Sequence, residues 1–135
     1  KELSLQFSML SFAMRKHVGW CVARGITHAG AVGRFALMAA AQLGDQIAAV
    51  VSRGGRPDLA GNALFQVCSP TLLIVGGYDE MVLCLNNEAY EKLRCEKEFR
   101  VVPCATHLFE EPGKLEQVAQ LSAHWFKIEE HTSEL

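Results

Sequence analysis

Ser69-Pro70-Thr71-Leu72-Leu73-Ile74-Val75-Gly76-Gly77-Tyr78-Asp79-Glu80 is the stretch whose reading decides the fold. Leu72 to Val75 is an unbroken apolar run fenced by Pro70 on one side and Gly76-Gly77 on the other. A short run rich in branched residues and bounded by turn formers reads as a strand buried on both faces, the pattern of a parallel sheet. The two glycines are expected to free the backbone for a sharp turn. Asp79 follows at once. In open parallel sheets, sites form beyond the carboxyl ends of strands, so Asp79 stands where one would lie. The competing reading is local: Asp is a favoured N-cap, and Asp79 would then only start the next helix.

Working outward, the same punctuation recurs. Ile47-Ala48-Ala49-Val50-Val51 reads as a second strand and Glu98-Phe99-Arg100-Val101-Val102, stopped by Pro103, as a third. Helices are expected over 35–43, 83–94 and 113–129, with one or two helical turns in 59–66. In the last helix Leu115, Val118, Ala119, Leu121, Ser122, Trp125 and Phe126 form a stripe at helical spacing. Residues 26–33 read as a further short strand, and most of 2–24 as helix ending at Gly25. Strands alternating with helices imply an α/β fold, a parallel sheet flanked by helices on both faces. At 135 residues, half of them apolar, the chain suits a single domain over 1–135.

Charge and cysteine usage narrow the function classes. Thirteen basic against fifteen acidic residues give a net charge of −2. Partners such as nucleic acid or an anionic membrane would ask for clustered positive charge, which is absent. No apolar run approaches the roughly 20 residues of a membrane span. The five cysteines, Cys21, Cys68, Cys84, Cys95 and Cys104, are scattered without metal-site spacing. Reduced thiols in a cytoplasmic protein are the simplest account, and neither a metal nor an organic cofactor is implied.

If the sheet is parallel, the loops at 52–58, 76–82 and 103–109 share one rim. Asp79 and His107 then face each other across neighbouring loops. A carboxylate beside an imidazole is the orienting half of a nucleophile-His-Asp relay; a solvated loop histidine is the plainer alternative. His17, His28, His124 and His131 read as structural or solvated. Arg53 and Arg56, around Gly54-Gly55, could hold a carboxylate or phosphate in their forks, or lie in a solvated loop.

Thr71-Leu72-Leu73-Ile74-Val75-Gly76-Gly77-Tyr78-Asp79, with Val101-Val102-Pro103-Cys104-Ala105-Thr106-His107-Leu108-Phe109, resembles the acid and histidine segments of the α/β-hydrolase fold. More narrowly it is similar to dienelactone-hydrolase-like proteins, including a subgroup fused to phosphoribosyltransferase domains. Ala49-Val50-Val51-Ser52-Arg53-Gly54-Gly55-Arg56-Pro57-Asp58-Leu59-Ala60 and Cys95-Glu96-Lys97 are similar to segments of that subgroup. The resemblance covers about residues 29–128. It implies Asp79 as triad acid, His107 as triad base, and a small-molecule ester, lactone or thioester as substrate.

The departures from the family concern the nucleophile. The family places Ser or Cys on a tight strand-to-helix elbow whose flanking residues are small. Here Gly30-Ala31-Val32-Gly33-Arg34-Phe35-Ala36-Leu37 offers Phe35 or Val32 at that position, and neither attacks a carbonyl. The chain resembles the C-terminal half of a hydrolase, with the front sheet missing. That front part supplies an oxyanion-hole amide worth about 3–4 kcal/mol. Three substitutes for the nucleophile can be named. Cys21 lies in Gly19-Trp20-Cys21-Val22-Ala23, which has the small-x-Cys-x-small form; its alternative is an ordinary buried cysteine. Ser52 directly follows a strand; its alternative is a turn serine. Cys104 lies three residues before His107, where the family usually has glycine. Two function classes therefore stand: an ester-cleaving hydrolase, and a non-catalytic remnant that binds or associates. A missing front sheet would expose a strand edge, which either a homodimer or the segment 1–25 should cover.

Overall fold

The computed structural model describes residues 10–16, 19–24 and 37–134, with side chains from 37 to 127. Five strands form one sheet: β1 (Leu10–Lys16), β2 (Gly19–Arg24), β3 (Ile47–Arg53), β4 (Thr71–Gly76) and β5 (Lys97–Val102). Their order is β2-β1-β3-β4-β5. β3, β4 and β5 run parallel, with Val50 opposite Thr71 and Thr71 opposite Lys97. Helices lie over 37–43 (α1), Glu80–Lys92 (α2) and Lys114–Glu134 (α3), and a 3-10 segment runs from Pro57 to Gln66.

Both faces of β3 and β4 are covered, as the apolar run of β4 requires. All six β4 residues are buried. On one face Val118, Ala119, Trp125 and Phe126 of α3 pack onto Ala49, Val51, Leu72, Ile74 and Val102. Burial of a side chain such as Phe126 contributes about 1.5–3 kcal/mol. Ser122, inside the same stripe, satisfies itself by donating to the Val118 carbonyl at 2.8 Å. On the other face Leu37 and Ala40 of α1, Ala60 and Leu64 of the 3-10 segment, and Ala89 of α2 meet Val50 and Leu73. The period-2 alternation of β3 and β4 thus feeds two cores rather than one core and solvent.

The amino-terminal segment corrects the sequence reading. Residues 10–16 and 19–24 are strands, not the helix expected over 2–24. β1 pairs antiparallel with β2, Met14 lying opposite Cys21, and antiparallel with β3, Met14 lying opposite Val50. Leu10, Phe12 and Met14 alternate with Ser11, Ala13 and Arg15, a period-2 pattern that suits a strand although the same residues would also sit in a helix. Tertiary context then decides, because β3 carries unpaired backbone groups on the side away from β4, and β1 satisfies them. β1 thus covers the edge of β3. The strand expected over 26–33 and the elbow candidates Val32 and Phe35 lie outside the described residues.

Candidate functional site

β3, β4 and β5 bring their carboxyl ends to one rim, and the ladder continues one residue past β3, where the Gly54 amide donates to the Ile74 carbonyl at 2.7 Å. Asp79 occupies the N-cap position of α2 without capping it: its side chain makes no bond to the helix. Asp79 Oδ2 instead lies 2.7 Å from His107 Nδ1. Forgoing a cap costs a helix about 1 kcal/mol, so the carboxylate is held for the imidazole at the helix's expense. Of the two contacts open to Asp79, the side chain makes the one with His107 and not the helix cap.

The acid loop hangs on the histidine loop through backbone. Gly77 N–H donates to the Val102 carbonyl at 2.8 Å and Tyr78 N–H to the Ala105 carbonyl at 2.9 Å. Gly76 and Gly77 do not have the positive φ that a sharp glycine turn would require. Gly76 is small for a different reason. A Cβ on Gly76 would collide with the Ala105 carbonyl oxygen and come within 2.7 Å of the Thr106 carbonyl oxygen. The two loops approach so closely that only glycine fits there.

The histidine loop is pinned at both ends. Cys104 and Phe109 have φ of 60° and 55°, a left-handed conformation costing a non-glycine residue about 1–2 kcal/mol. Phe109 is 1% exposed and anchors the loop in the α3-side core. Thr106 donates to Glu111 Oε1 from its amide at 3.0 Å and from its hydroxyl at 2.6 Å. Those bonds hold the Glu111 carboxyl below the usual carboxylate range. Strained backbone of this kind persists where surrounding contacts over-determine it.

His107 therefore presents a fixed ring. Its side chain is 44% exposed while that of Asp79 is 15% exposed. With the carboxylate accepting from Nδ1–H, Nε2 is the nitrogen left for proton transfer. Gly54, at φ 58°, lies against the ring: a Cβ there would meet His107 Cε1 at 3.7 Å and the His107 carbonyl oxygen at 3.3 Å. Asn86 of α2, which sequence reasoning passed over, secures this loop. It is fully buried and donates from Nδ2 to the Gly55 carbonyl at 3.0 Å and the Val82 carbonyl at 2.9 Å. Its signal was a polar residue sharing a helical stripe with the buried Ala89 and Leu93.

The remaining candidates separate from the pair. Ser52 lies inside β3, fully buried, with no hydrogen-bond partner for its hydroxyl. Cys104 is exposed, and a hydrogen bond with it raises the Tyr78 phenol above its ordinary pKa. Cys21 is mid-strand in β2, not at a strand-to-helix turn. Arg56 uses its fork on Asp58, with both bonds at 2.9 Å, whereas Arg53 lies 5.9 Å from the Phe109 ring centre, its pKa lowered by burial. These contacts give no support to a joint anion clamp. His124 is exposed on α3. Among the described residues, no hydroxyl or thiol hydrogen-bonds the His107 ring, no three metal-ligating side chains gather, and no helix is long and apolar enough to cross a membrane.

No family model matches the chain. It is 52% identical over 116 residues to two Mycobacterium tuberculosis proteins, from strains CDC 1551 and H37Rv, each named "Putative phosphoribosyl transferase"; the match covers 80% of this chain. The chain spans 26% of the length of those relatives. In structure it is similar to a dienelactone hydrolase from Anabaena variabilis, with 55% identity and a TM-score of 0.71, over 73% of this chain and 46% of that one. The fold is that of the α/β hydrolases. The resemblance to dienelactone-hydrolase-like proteins holds in sequence and structure, and the relatives' name agrees with the subgroup linked to phosphoribosyltransferases.

Proposed function

We propose that Asp79 and His107 form the acid–base half of a hydrolase site that cleaves an ester, lactone or thioester bond of a small molecule. The observation that supports this reading is the 2.7 Å contact between Asp79 Oδ2 and His107 Nδ1, made in place of a helix cap. His107 Nε2 takes the proton of an attacking hydroxyl, thiol or water as the new bond to the carbonyl carbon forms. Asp79 stays ionised, keeps the ring in the Nδ1–H tautomer and stabilises the imidazolium. When the tetrahedral intermediate collapses, the leaving oxygen or sulfur takes that proton back from Nε2. Asp79 is the positioning residue and His107 the catalytic one. No metal or organic cofactor enters this chemistry.

A second reading, a non-catalytic remnant used for binding or association, is favoured by one observation. Among the described residues no hydroxyl or thiol lies in hydrogen-bond contact with His107. Hydrolysis of p-nitrophenyl acetate and of dihydrocoumarin separates the two. The hydrolase reading expects turnover that falls by about 10²–10⁴-fold in His107→Ala, with Asp79→Asn also impaired. Equal rates in wild type and His107→Ala would leave the pair without catalytic use and make the remnant the better account.

A further inference from the structure

β5 closes the sheet at one end, and among the described residues no strand pairs with its outer side. The backbone groups that point outward can be identified. Val102 and Glu96 turn their carbonyls toward β4, accepting from Gly77 at 2.8 Å and Thr71 at 2.9 Å. Alternate residues of a strand direct their backbone groups to opposite sides. Lys97, Phe99 and Val101 therefore offer theirs outward, a template for another strand.

Natural edges are guarded by charge, lysine above all. Here the guard is turned away. Lys97 Nζ donates to the Tyr90 carbonyl at 2.6 Å and the Leu93 carbonyl at 2.9 Å, near the end of α2. Phe99 packs edge-on against Tyr90 with ring centres 6.1 Å apart. On the opposite face Glu98 and Arg100 stand about half exposed, their charged groups only 3.5 Å apart. Val101, an apolar edge residue, is 46% exposed.

We infer that β5 is the surface through which two copies of this chain associate, as antiparallel strands about a two-fold axis at Phe99. The register follows from symmetry. A two-fold perpendicular to the sheet makes equal residue numbers point the same way in both copies. Facing residues must then share parity, so the axis passes through a residue and its own copy. Centring on Glu98 sets Glu98 against itself, and centring on Arg100 sets Arg100 against itself. Centring on Phe99 sets Glu98 opposite Arg100 twice and Lys97 opposite Val101. Because Glu98 and Arg100 turn their backbone groups inward, they form the non-hydrogen-bonded pairs, in which facing side chains approach most closely. Charge complementarity thus selects one partner, a second copy, and one register.

Sedimentation equilibrium with charge variants tests this. The wild type sediments as a dimer at about 100 μM, a concentration that reveals even weak self-association. Glu98→Arg puts Arg against Arg, Arg100→Glu puts Glu against Glu, and each raises the dimer dissociation constant at least tenfold. An equimolar mixture of the two variants recovers the dimer mass, as does the double exchange Glu98→Arg/Arg100→Glu. Circular dichroism checks that each variant is folded; if a single variant is not, the double exchange carries the test, because it keeps the charge balance of the strand. A monomeric wild type, a dimer indifferent to both single changes, or a monomeric double exchange would overturn the inference.

Discussion

Replacing Gly76 by alanine tests the close approach that joins the acid loop to the histidine loop. A Cβ at Gly76 would lie 2.7 Å from the Thr106 carbonyl oxygen and 2.9 Å from the Ala105 carbonyl carbon, both backbone atoms. The Ala105 carbonyl oxygen is closer still, so reaching an ordinary contact means parting the loops by about 1 Å, because close-packed interiors yield little elsewhere. The bonds that tie them, Gly77 N to Val102 O at 2.8 Å and Tyr78 N to Ala105 O at 2.9 Å, would then stretch beyond hydrogen-bond distance. Overpacking costs about 1–3 kcal/mol, and each lost bond about 0.5–1.5 kcal/mol. The expected loss is about 2–5 kcal/mol, or a Tm lowered by roughly 8–20 °C for a domain of this size. Gly77→Ala is the matched control. Its Cβ would meet the Val102 carbonyl oxygen at 3.3 Å and the Cys104 amide nitrogen at 3.4 Å, and neither glycine has a positive φ. That variant should stay within about 1 kcal/mol of wild type, reduced unfolded-state entropy offsetting mild crowding. Thermal and urea unfolding measure both. Equal stability of the two variants would refute the reasoning.

Three further outcomes are expected. Cys104→Gly relieves the left-handed strain at φ 60° and raises stability by about 0.5–1 kcal/mol, less than the full strain because glycine is more flexible when unfolded; ultraviolet titration should also show the Tyr78 phenol returning toward its ordinary range. Asn86→Ala leaves the Gly55 carbonyl without its donor, costs about 1–3 kcal/mol and speeds amide exchange in the loop at 53–56. Glu111 is a depressed carboxylate, so its stabilising effect is present above the unfolded glutamate pKa near 4.3 and is lost as the pH falls through the lower folded value. Glu111→Gln should therefore flatten the acid limb of the stability curve, read by unfolding at a series of pH values.

What was legible in the sequence was local and doubly signalled. β4 announces itself by a branched apolar run between Pro70 and Gly76, and α3 by a stripe ending in Trp125 and Phe126. That Asp79 and His107 would meet was legible because each follows a strand end in a parallel pattern. Whether Asp79 capped α2 or faced His107 was not decidable locally, since the N-cap position serves both; only the backbone meeting of the two loops settles it. The segment 10–24 misled because Ser11-Phe12-Ala13-Met14 suits either period, and the unpaired edge of β3 made the choice. Gly76 and Gly77 were read as turn residues, whereas neither has a positive φ and at Gly76 it is close approach, a long-range property, that excludes a side chain. Asn86 escaped because a polar residue in a helix looks solvated until its stripe is seen to be buried.

The proposed role of Asp79 is to fix the His107 ring with Nε2 available for proton transfer. Long-range ¹H–¹⁵N correlation of the histidine rings tests it most directly, with exposed His124 as internal reference. Neutral His107 is expected to carry its proton on Nδ1, in a single tautomer that is lost in Asp79→Ala. A His107 ring that averages its two tautomers, or that keeps its pattern without Asp79, would rule that role out.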